Sequence, residues 1–458
     1  MEDMKNGKRS SFSGKLGYVL AAAGASVGLG NIWRFPYLAA KYGGGIFLII
    51  YIVLALTFGY TMIVAETAIG RMTRKSPVGA FKSFGKKKWL SFGGWINAVI
   101  PVLIVPYYSV IGGWVIKYLV EYFRGNAKLL AEDGYFTDFI SNGVSTELCF
   151  VAFCAFTLII IFAGVQNGIE RVSKIMMPIL IVLSVIIAVY SVTRPGALAG
   201  VKYFLVPNVK NFSWMTVVSA MGQMFYSLSI AMGILITFGS YMKKDTAIED
   251  STRNVEIFDT GIVIMAGLMI IPAVFAFSGG DPDTLQAGPS LMFITIPKVF
   301  QNMGFGTVIG IVFFVLVLFA AVTSSIALTE SAVSTFEDEL GWGRKKATVL
   351  VGVIMLALGS LSSLGYGPLA GIKIIGMQFL DLFDFLTNSV MMPIAALITS
   401  LLVSRVVGID KIEEEIIHGE SAFRRKKVFV VMIKYLCPVF AIIILLSSVA
   451  NALGWIKM

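Results

Sequence analysis

Apolar runs of about 20 residues recur along the whole chain and are separated by short polar segments. A helix needs about 20 apolar residues to cross a hydrocarbon core about 30 Å thick, whereas a barrel strand needs only about ten residues of alternating polarity. The pattern therefore predicts an all-α, polytopic membrane protein. Eleven transmembrane helices are expected, at about residues 15–38, 44–70, 90–123, 147–163, 171–192, 213–240, 256–278, 306–338, 346–363, 374–404 and 430–455.

The composition agrees with a chain that faces lipid. Of its 458 residues, 57% are hydrophobic and 14% are charged, whereas soluble domains have about 25% charged residues. A soluble enzyme is therefore excluded, and the lipid bilayer is an expected partner. The net charge of +10 does not indicate nucleic-acid binding, because lysine and arginine form short clusters between apolar runs. Cys149, Cys154 and Cys437 lack CxxC spacing, so neither a disulfide framework nor a zinc site is indicated.

The distribution of basic residues predicts the orientation of the chain. Cytoplasmic loops of membrane proteins are enriched in lysine and arginine. Basic clusters fall in the connections at 71–88, 243–253, 344–346 and 424–427, whereas the connection at 121–147 is acidic. The N-terminus is therefore expected in the cytoplasm and the chain in the cell membrane. Because the number of spans is odd, the C-terminus is expected outside.

Two predicted spans contain small and polar residues where a simple anchor would be apolar. Residues 24–31 read GASVGLGN, and residues 225–233 read FYSLSIAMG. Glycine weakens a helix, and non-helical backbone at this depth persists only where it is buried in protein or lines a water-filled cavity. Two broken helices five spans apart indicate a first unit at 1–192, a second at 193–404 and a remainder at 405–458. The alternative is that the glycines only permit close helix packing.

Five charged side chains fall within the predicted spans, and these are Arg34, Glu66, Asp259, Asp381 and Asp384. Each needs a partner or an aqueous path, because an unpaired charge in the bilayer is costly. Arg34, Asp381 and Asp384 lie on the outer side, where they suggest an ion pair between the arginine and one of the carboxylates. Asp259 either approaches the second interruption or is an interfacial carboxylate beside Arg253, and the pattern does not distinguish these. Glu66 is interpreted first as a hydrogen-bond acceptor for a neighbouring helix and second as part of an ion path.

The sequence contains no pattern typical of catalysis. It has no Ser/His/Asp set, no HExxH and no phosphate-binding GxxxxGK[ST], so an enzyme or a nucleotide-driven pump is not predicted. A passive channel and a secondary transporter remain. Broken helices at matching places in two halves favour the transporter.

The residues around the interruptions resemble a known family. Similarity to the neurotransmitter:sodium symporter family, especially its bacterial amino-acid transporters, is carried by GASVGLGNIWRFP (24–36), GGG (43–45), ETAIGR (66–71), GQMFYSLS (222–229) and TSSIALTE (323–330). The resemblance implies an inverted repeat of five plus five helices with helices 1 and 6 broken. It also implies sodium-coupled symport of hydrophobic L-amino acids by alternating access. The rivals are an ion channel and a proton-coupled amino-acid transporter. Many family members have twelve spans, so the oligomeric state of this chain stays open.

The resemblance also implies a substrate site between the two interruptions. The amino-acid carboxylate would contact the N–H groups of Leu29 and Gly30 and the hydroxyl of Tyr108, at a helix N-terminus that suits an anion. The amine would contact carbonyl groups of Ser26, Tyr226 and Ser227. The pocket for the substrate side chain would comprise Ile104, Tyr108, Tyr226, Ser229, Met232, Ser324 and Leu328.

Two sodium sites are implied in the same way. The first would use Ser26, Asn31, Ser227 and Asp259, with Asp259 in a position that is usually asparagine. The second would use Gly24, Val27, Ala320, Thr323 and Ser324. All these ligands are hard oxygens, which suit an alkali cation. Thr323 and Ser324 would otherwise bond back to their own helix.

Two charged pairs are implied as gates. Arg34 with Asp384 would close the outer side, and Arg9 with Asp338 would close the inner side. The fixed charge of Asp259 close to the first sodium site predicts that no chloride is required.

Overall fold

The computed structural model describes residues 9–279, 289–452 and 455, and in this part the chain forms helices and no strand. The helices of the first half are α1 (Lys15–Ser26), α2 (Gly30–Lys41), α3 (Gly45–Thr73), α4 (Pro77–Lys82), α5 (Lys88–Phe123), α6 (Ala127–Leu130), α7 (Tyr135–Ser141), α8 (Gly143–Phe162), α9 (Val165–Val192) and α10 (Ala197–Leu205). Those of the second half are α11 (Trp214–Ser227), α12 (Ile234–Tyr241), α13 (Ile248–Ser278), α14 (Leu291–Gln301), α15 (Gly306–Leu340), α16 (Arg344–Leu364), α17 (Phe379–Val407), α18 (Ile409–Ile417) and α19 (Lys426–Asn451).

The membrane-spanning helices largely follow the hydropathy pattern. Among the described residues, nine helices are long and apolar enough to cross a membrane, and the bent pair α1–α2 makes a tenth span. The polytopic all-α fold is therefore confirmed. The predicted sixth span is the pair α11 and α12, of 14 and 8 residues, each too short to cross alone. The total of eleven spans and the division at residues 192 and 404 stay predictions.

The first interruption separates α1 from α2 and bends the chain by 54°. Its glycines also allow close approach of other helices. A Cβ atom on Gly28 would lie 2.7 Å from Oγ of Ser324 on α15 and 3.1 Å from the hydroxyl of Tyr108 on α5. The glycine-rich segment therefore both breaks the helix and permits close helix packing, so the two interpretations of it are compatible.

The second interruption lies between α11 and α12 and contains left-handed backbone. Ser229 and Ala231 have φ of +52° and +58°, which non-glycine residues rarely adopt. Glu66 on α3 holds this segment, since its Oε1 accepts a hydrogen bond of 2.8 Å from the Ala231 N–H. The prediction that Glu66 is an acceptor for a neighbouring helix is confirmed.

The interrupted helices lie inside a ring of continuous ones. Helix α1 contacts α9, α13 and α15, and α12 contacts α3 and α15. The outer helices expose apolar side chains, among them Leu148, Ile159, Val182 and Val189. Such a surface suits lipid, in which every backbone group of a helix is satisfied internally. The two breaks are thereby placed in the interior, where protein can satisfy their polar groups.

Candidate functional site

A cavity of about 330 Å³ lies between the two interruptions. Of the eleven residues that the resemblance assigns to the substrate, ten line this cavity and Ser227 does not. The lining residues are Ala25, Ser26, Gly28, Leu29, Gly30, Asn31, Ile104, Tyr108, Tyr226, Ser229, Met232, Ser324 and Leu328.

The cavity lining combines backbone polar groups with uncharged side chains. The N–H of Leu29 donates a hydrogen bond of 3.3 Å to the Tyr108 hydroxyl. Helix α2 begins at Gly30, and the first N–H groups of a helix have no acceptor within it. They can therefore bind an anion. Ile104, Met232 and Leu328 supply apolar surface, and no charged side chain of the described residues lines the cavity.

Tyr226 closes one side of the cavity. A Cβ atom on Gly30 would lie 2.2 Å from two carbon atoms of the Tyr226 ring, so the ring packs directly on the Gly30 backbone. Any side chain at Gly30 would push the ring away. Tyr226 also lines a second, larger cavity and thus separates the two.

Asp259 forms the centre of a buried polar group, which we call the first cluster (Ser26, Asn31, Ser227 and Asp259). Its carboxylate accepts hydrogen bonds of 2.8 Å from Nδ2 of Asn31 and from Oγ of Ser227, and one of 2.7 Å from the hydroxyl of Tyr51. Asp259 is fully buried. It is therefore not an interfacial carboxylate beside Arg253; that arginine pairs instead with Asp250.

The first cluster contains oxygen atoms that lack hydrogen-bond partners. Oγ of Ser26 and Oδ1 of Asn31 are buried and unpartnered among the described residues. A buried polar atom without a partner is costly. Together with the Asp259 carboxylate, these oxygens form a donor set suited to a hard cation. The described residues contain no group of three or more His, Cys, Asp or Glu that could hold a metal ion, so a transition-metal site is not indicated there.

The second cluster (Gly24, Val27, Ala320, Thr323 and Ser324) joins α1 to α15. Oγ of Ser324 lies 3.2 Å from the carbonyl oxygen of Gly24 and 3.4 Å from that of Val27. Thr323 behaves differently, because its hydroxyl bonds back to carbonyl groups of α15, at 2.9 Å to Phe319 and 3.2 Å to Ala320. The structure thus brings all five residues together around neutral oxygen atoms.

The predicted inner pair is formed. The Arg9 guanidinium and the Asp338 carboxylate make an ion pair, and Arg9 also donates hydrogen bonds to Oγ of Ser240 (3.0 Å) and Ser334 (2.8 Å). The guanidinium carbon lies 5.0 Å from the centre of the Tyr241 ring. Arg9 therefore ties the N-terminal segment to α12 and α15.

The predicted outer ion pair is not formed. Arg34 has no carboxylate oxygen within 4.0 Å among the described residues, and its guanidinium carbon lies 5.4 Å from the centre of the Tyr226 ring. Asp384 instead accepts hydrogen bonds from Nδ2 of Asn388 (2.6 Å) and from the hydroxyl of Tyr107 (3.3 Å). Both charged side chains line the second cavity, of about 1,220 Å³. This cavity separates them, and it would have to narrow before the two side chains could form an ion pair.

Two polar residues of this region were not found from the sequence. Tyr51 donates to Asp259, and Gln223 donates from Nε2 to the carbonyl oxygen of Gly30 at 3.1 Å while its Oε1 is buried without a partner. Tyr51 lies within an apolar run, and Gln223 lies within the segment GQMFYSLS (222–229), for which no role of the glutamine was predicted. The available signal was that a tyrosine hydroxyl or an amide in the middle of a span needs a partner.

Comparisons with known proteins agree with this arrangement. A family model described as the sodium:neurotransmitter symporter family matches residues 9–137 and 134–455. The crystal structure of MhsT in complex with L-phenylalanine superimposes with a TM-score of 0.86 at 34% identity, covering 96% of this chain and 100% of that one. The uncharacterised sodium-dependent transporter YhdH of Bacillus subtilis is 34% identical over 450 residues, which are 97% of this chain and 99% of YhdH.

A more distant relative extends the comparison to animals. The human sodium- and chloride-dependent GABA transporter 2 is 26% identical over 474 residues, covering 89% of this chain and 75% of that protein. The family match extends over both interruptions and nearly the whole described chain. This chain is therefore a multi-pass, sodium-dependent transporter rather than an enzyme, and it belongs to the sodium:neurotransmitter symporter family.

Proposed function

We propose that this protein is a symporter of hydrophobic L-amino acids that is driven by sodium and works by alternating access. The observation that carries the proposal is an uncharged cavity between two broken helices, beside a buried carboxylate cluster. Two sodium ions would be cargo together with the amino acid. The transporter would lie in the cell membrane with its N-terminus in the cytoplasm.

The cavity lining supports recognition of a zwitterion. The carboxylate would meet the Leu29 and Gly30 N–H groups and the Tyr108 hydroxyl. The start of a helix carries about half a positive charge, which favours an anion. The ammonium group would meet carbonyl oxygens of Ser26, Tyr226 and Ser227 at the ends of α1 and α11, where a carbonyl oxygen can accept a further hydrogen bond.

The side-chain pocket supports selection of apolar substrates. Since none of the described lining side chains is charged, a lysine or glutamate side chain would lose its water without gaining a counter-ion, which costs several kcal/mol. Met232 is flexible and can repack around side chains of different shape. Broad acceptance of aliphatic and aromatic amino acids is therefore expected. MhsT, whose structure contains L-phenylalanine, supports this substrate class by similarity.

The two clusters support coupling to sodium. In the first cluster, a cation next to Asp259 would lie beside Ser26, a residue that also lines the solute cavity. In the second, a cation would bridge the break after α1 and helix α15. The formed inner pair and the wide outer cavity correspond to a transporter that is closed to the inside. Binding of solute and cations would then precede closure of the outer side.

The test is uptake by purified protein in proteoliposomes with an inward sodium gradient. Twenty amino acids compete with labelled leucine, and leucine, phenylalanine and tryptophan should compete while lysine and glutamate should not. Uptake should saturate and vanish when potassium replaces sodium. Ion current without saturable uptake would indicate a channel, and uptake driven by a proton gradient alone would indicate proton coupling; either result contradicts the proposal.

A variant of the pocket sharpens this test. Met232→Phe places a rigid ring in the lining and should lower the affinity for tryptophan relative to leucine by about tenfold, the effect of about 1.4 kcal/mol of overpacking. Met391→Phe, at a partly exposed methionine outside the cavity, is the control and should leave the ratio unchanged. An unchanged ratio in Met232→Phe would remove Met232 from the substrate site.

A further inference from the structure

Three consecutive lysines stand exposed where helix α5 begins. Lys86, Lys87 and Lys88 are all exposed, and none has a carboxylate within 4.0 Å among the described residues. Their neighbour Lys82 differs, because its Nζ lies 2.6 Å from a carboxylate oxygen of Glu339. Among the residues that the structure describes, these three ammonium groups therefore have no carboxylate partner, whereas the neighbouring Lys82 has one.

An apolar aromatic face continues from these lysines along α5. Trp89, Phe92 and Trp95 follow at intervals of three residues, which keeps them close together on one side of a helix. Phe92 is 55% exposed and Trp95 is 41% exposed. The ammonium of Lys82, from the same connection, lies 5.8 Å from the Trp95 ring centre. Lys88 and Phe92 are four residues apart on α5, a spacing that places both side chains on one face of the helix. Tryptophan next to lysine is typical of the boundary between hydrocarbon and headgroups.

We propose that Lys86, Lys87 and Lys88, together with Phe92 and Trp95, bind an anionic phospholipid. The lysine ammonium groups would surround the headgroup phosphate, because each offers three donors and a positive charge. The acyl chains would lie along the two exposed rings. A basic cluster that directly adjoins a membrane helix attracts anionic lipid in this way. Free phosphate would engage the lysines but would leave the aromatic face uncovered.

The lipid site adjoins the inner pair. Ser76, just before α4, donates its N–H to Oδ2 of Asp338 at 2.6 Å, and Lys82 at the end of α4 pairs with Glu339. The connection that carries the lysines therefore also holds the end of α15. A phospholipid bound here would favour the arrangement in which Arg9 and Asp338 are paired. This consequence rests on the proposed function, whereas the binding site itself does not.

The test is native mass spectrometry of the purified full chain with phosphatidylglycerol, and in parallel with phosphatidylcholine. The triple variant Lys86→Gln, Lys87→Gln, Lys88→Gln should lose phosphatidylglycerol adducts, with affinity falling about fivefold for each lysine removed. Its matched control is Lys128→Gln, Lys202→Gln, Lys210→Gln, which removes three exposed lysines from other connections. The control should bind phosphatidylglycerol like the parent, and phosphatidylcholine should bind weakly to all three proteins.

Two further measurements distinguish a phospholipid site from a site for a free anion. Inorganic phosphate at millimolar concentration should not displace phosphatidylglycerol, and Phe92→Ala with Trp95→Ala should weaken lipid binding while thermal unfolding in detergent stays unchanged. Displacement by phosphate would identify a free-anion site and overturn the proposal. Equal phosphatidylglycerol affinity in the lysine variant and its parent would overturn it as well.

Discussion

The first and second clusters flank the same helix break, but only one contains a charge. Asp259 in the first cluster is fully buried and accepts hydrogen bonds from Asn31, Ser227 and Tyr51. The second cluster consists of backbone carbonyl groups and the hydroxyls of Thr323 and Ser324. Unit charges 4 Å apart interact by about 4 kcal/mol at an effective dielectric constant of 20, whereas a neutral hydrogen bond contributes about 1 kcal/mol. The two sites should therefore respond very differently to substitution.

The largest effect is expected from removal of the charge. Asp259→Asn keeps the shape of the side chain but loses the attraction to a cation, so sodium affinity should fall by on the order of 100-fold. Equilibrium sodium binding to purified protein, followed by scintillation proximity, measures this. Asp250→Asn, nearer the start of the same helix α13, is the matched control and should bind sodium normally. A parent-like sodium affinity in Asp259→Asn would show that the carboxylate is not a cation ligand.

A smaller effect is expected from the neutral cluster. Thr323→Ala with Ser324→Ala removes two hydroxyl ligands, at about 1 kcal/mol each, so sodium affinity should fall about 30-fold. The order of amino-acid preference should change much less, because the hydroxyls would serve mainly the cation. The same equilibrium assay and the competition panel measure the two quantities.

The control for this pair uses hydroxyls on the same helix. Thr329 and Thr335 bond back to α15 carbonyl groups at 2.7 and 3.0 Å, and neither lines the solute cavity. Thr329→Ala with Thr335→Ala should leave sodium affinity unchanged. If both double variants lose sodium binding equally, the effect reflects the helix rather than the second cluster.

The smallest effect is expected from anion replacement in the parent protein. Since Asp259 already supplies a negative charge close to the first cluster, transport in gluconate should match transport in chloride within about twofold. Sodium-driven uptake in the two media measures this. A large, reversible loss without chloride would mean that Asp259 does not replace a bound anion, and it would remove the proposed contrast between the clusters.

Much of the fold was predictable because lipid imposes a simple pattern. Spans and breaks follow from runs of apolar residues and from their interruption by glycine and serine. The start of α13 was missed because its first turns are polar and buried by distant parts of the chain. Glu249, for example, accepts hydrogen bonds from the N–H groups of Arg424 and Arg425 and from the hydroxyl of Tyr60. The sequence around Glu249 does not indicate these hydrogen-bond partners, because they are distant along the chain.

The site was predictable only where residues could be matched to a motif. Ser26, Asn31 and Ser324 lie in motifs that resemble the family, and the structure brings them to the cavity. Tyr51 and Gln223 were missed, because a polar side chain within a span indicates that a partner is needed but not which residue is that partner. The distance between Arg34 and Asp384 depends on whether the outer side is open, and a sequence does not specify which conformation is adopted.

The position of Tyr226 between the two cavities has a pharmacological consequence. The outer cavity, of about 1,220 Å³, is more than three times as large as the inner one, and a single aromatic ring packed on Gly30 separates them. If the inner cavity binds the amino acid as we propose, a compound with an amino-acid head and a bulky apolar tail would place its head below the ring and its tail above it. The ring could then not return to Gly30. Such a compound would be a competitive inhibitor that is bound but never carried, and its potency would grow with the length of the tail until the outer cavity is filled.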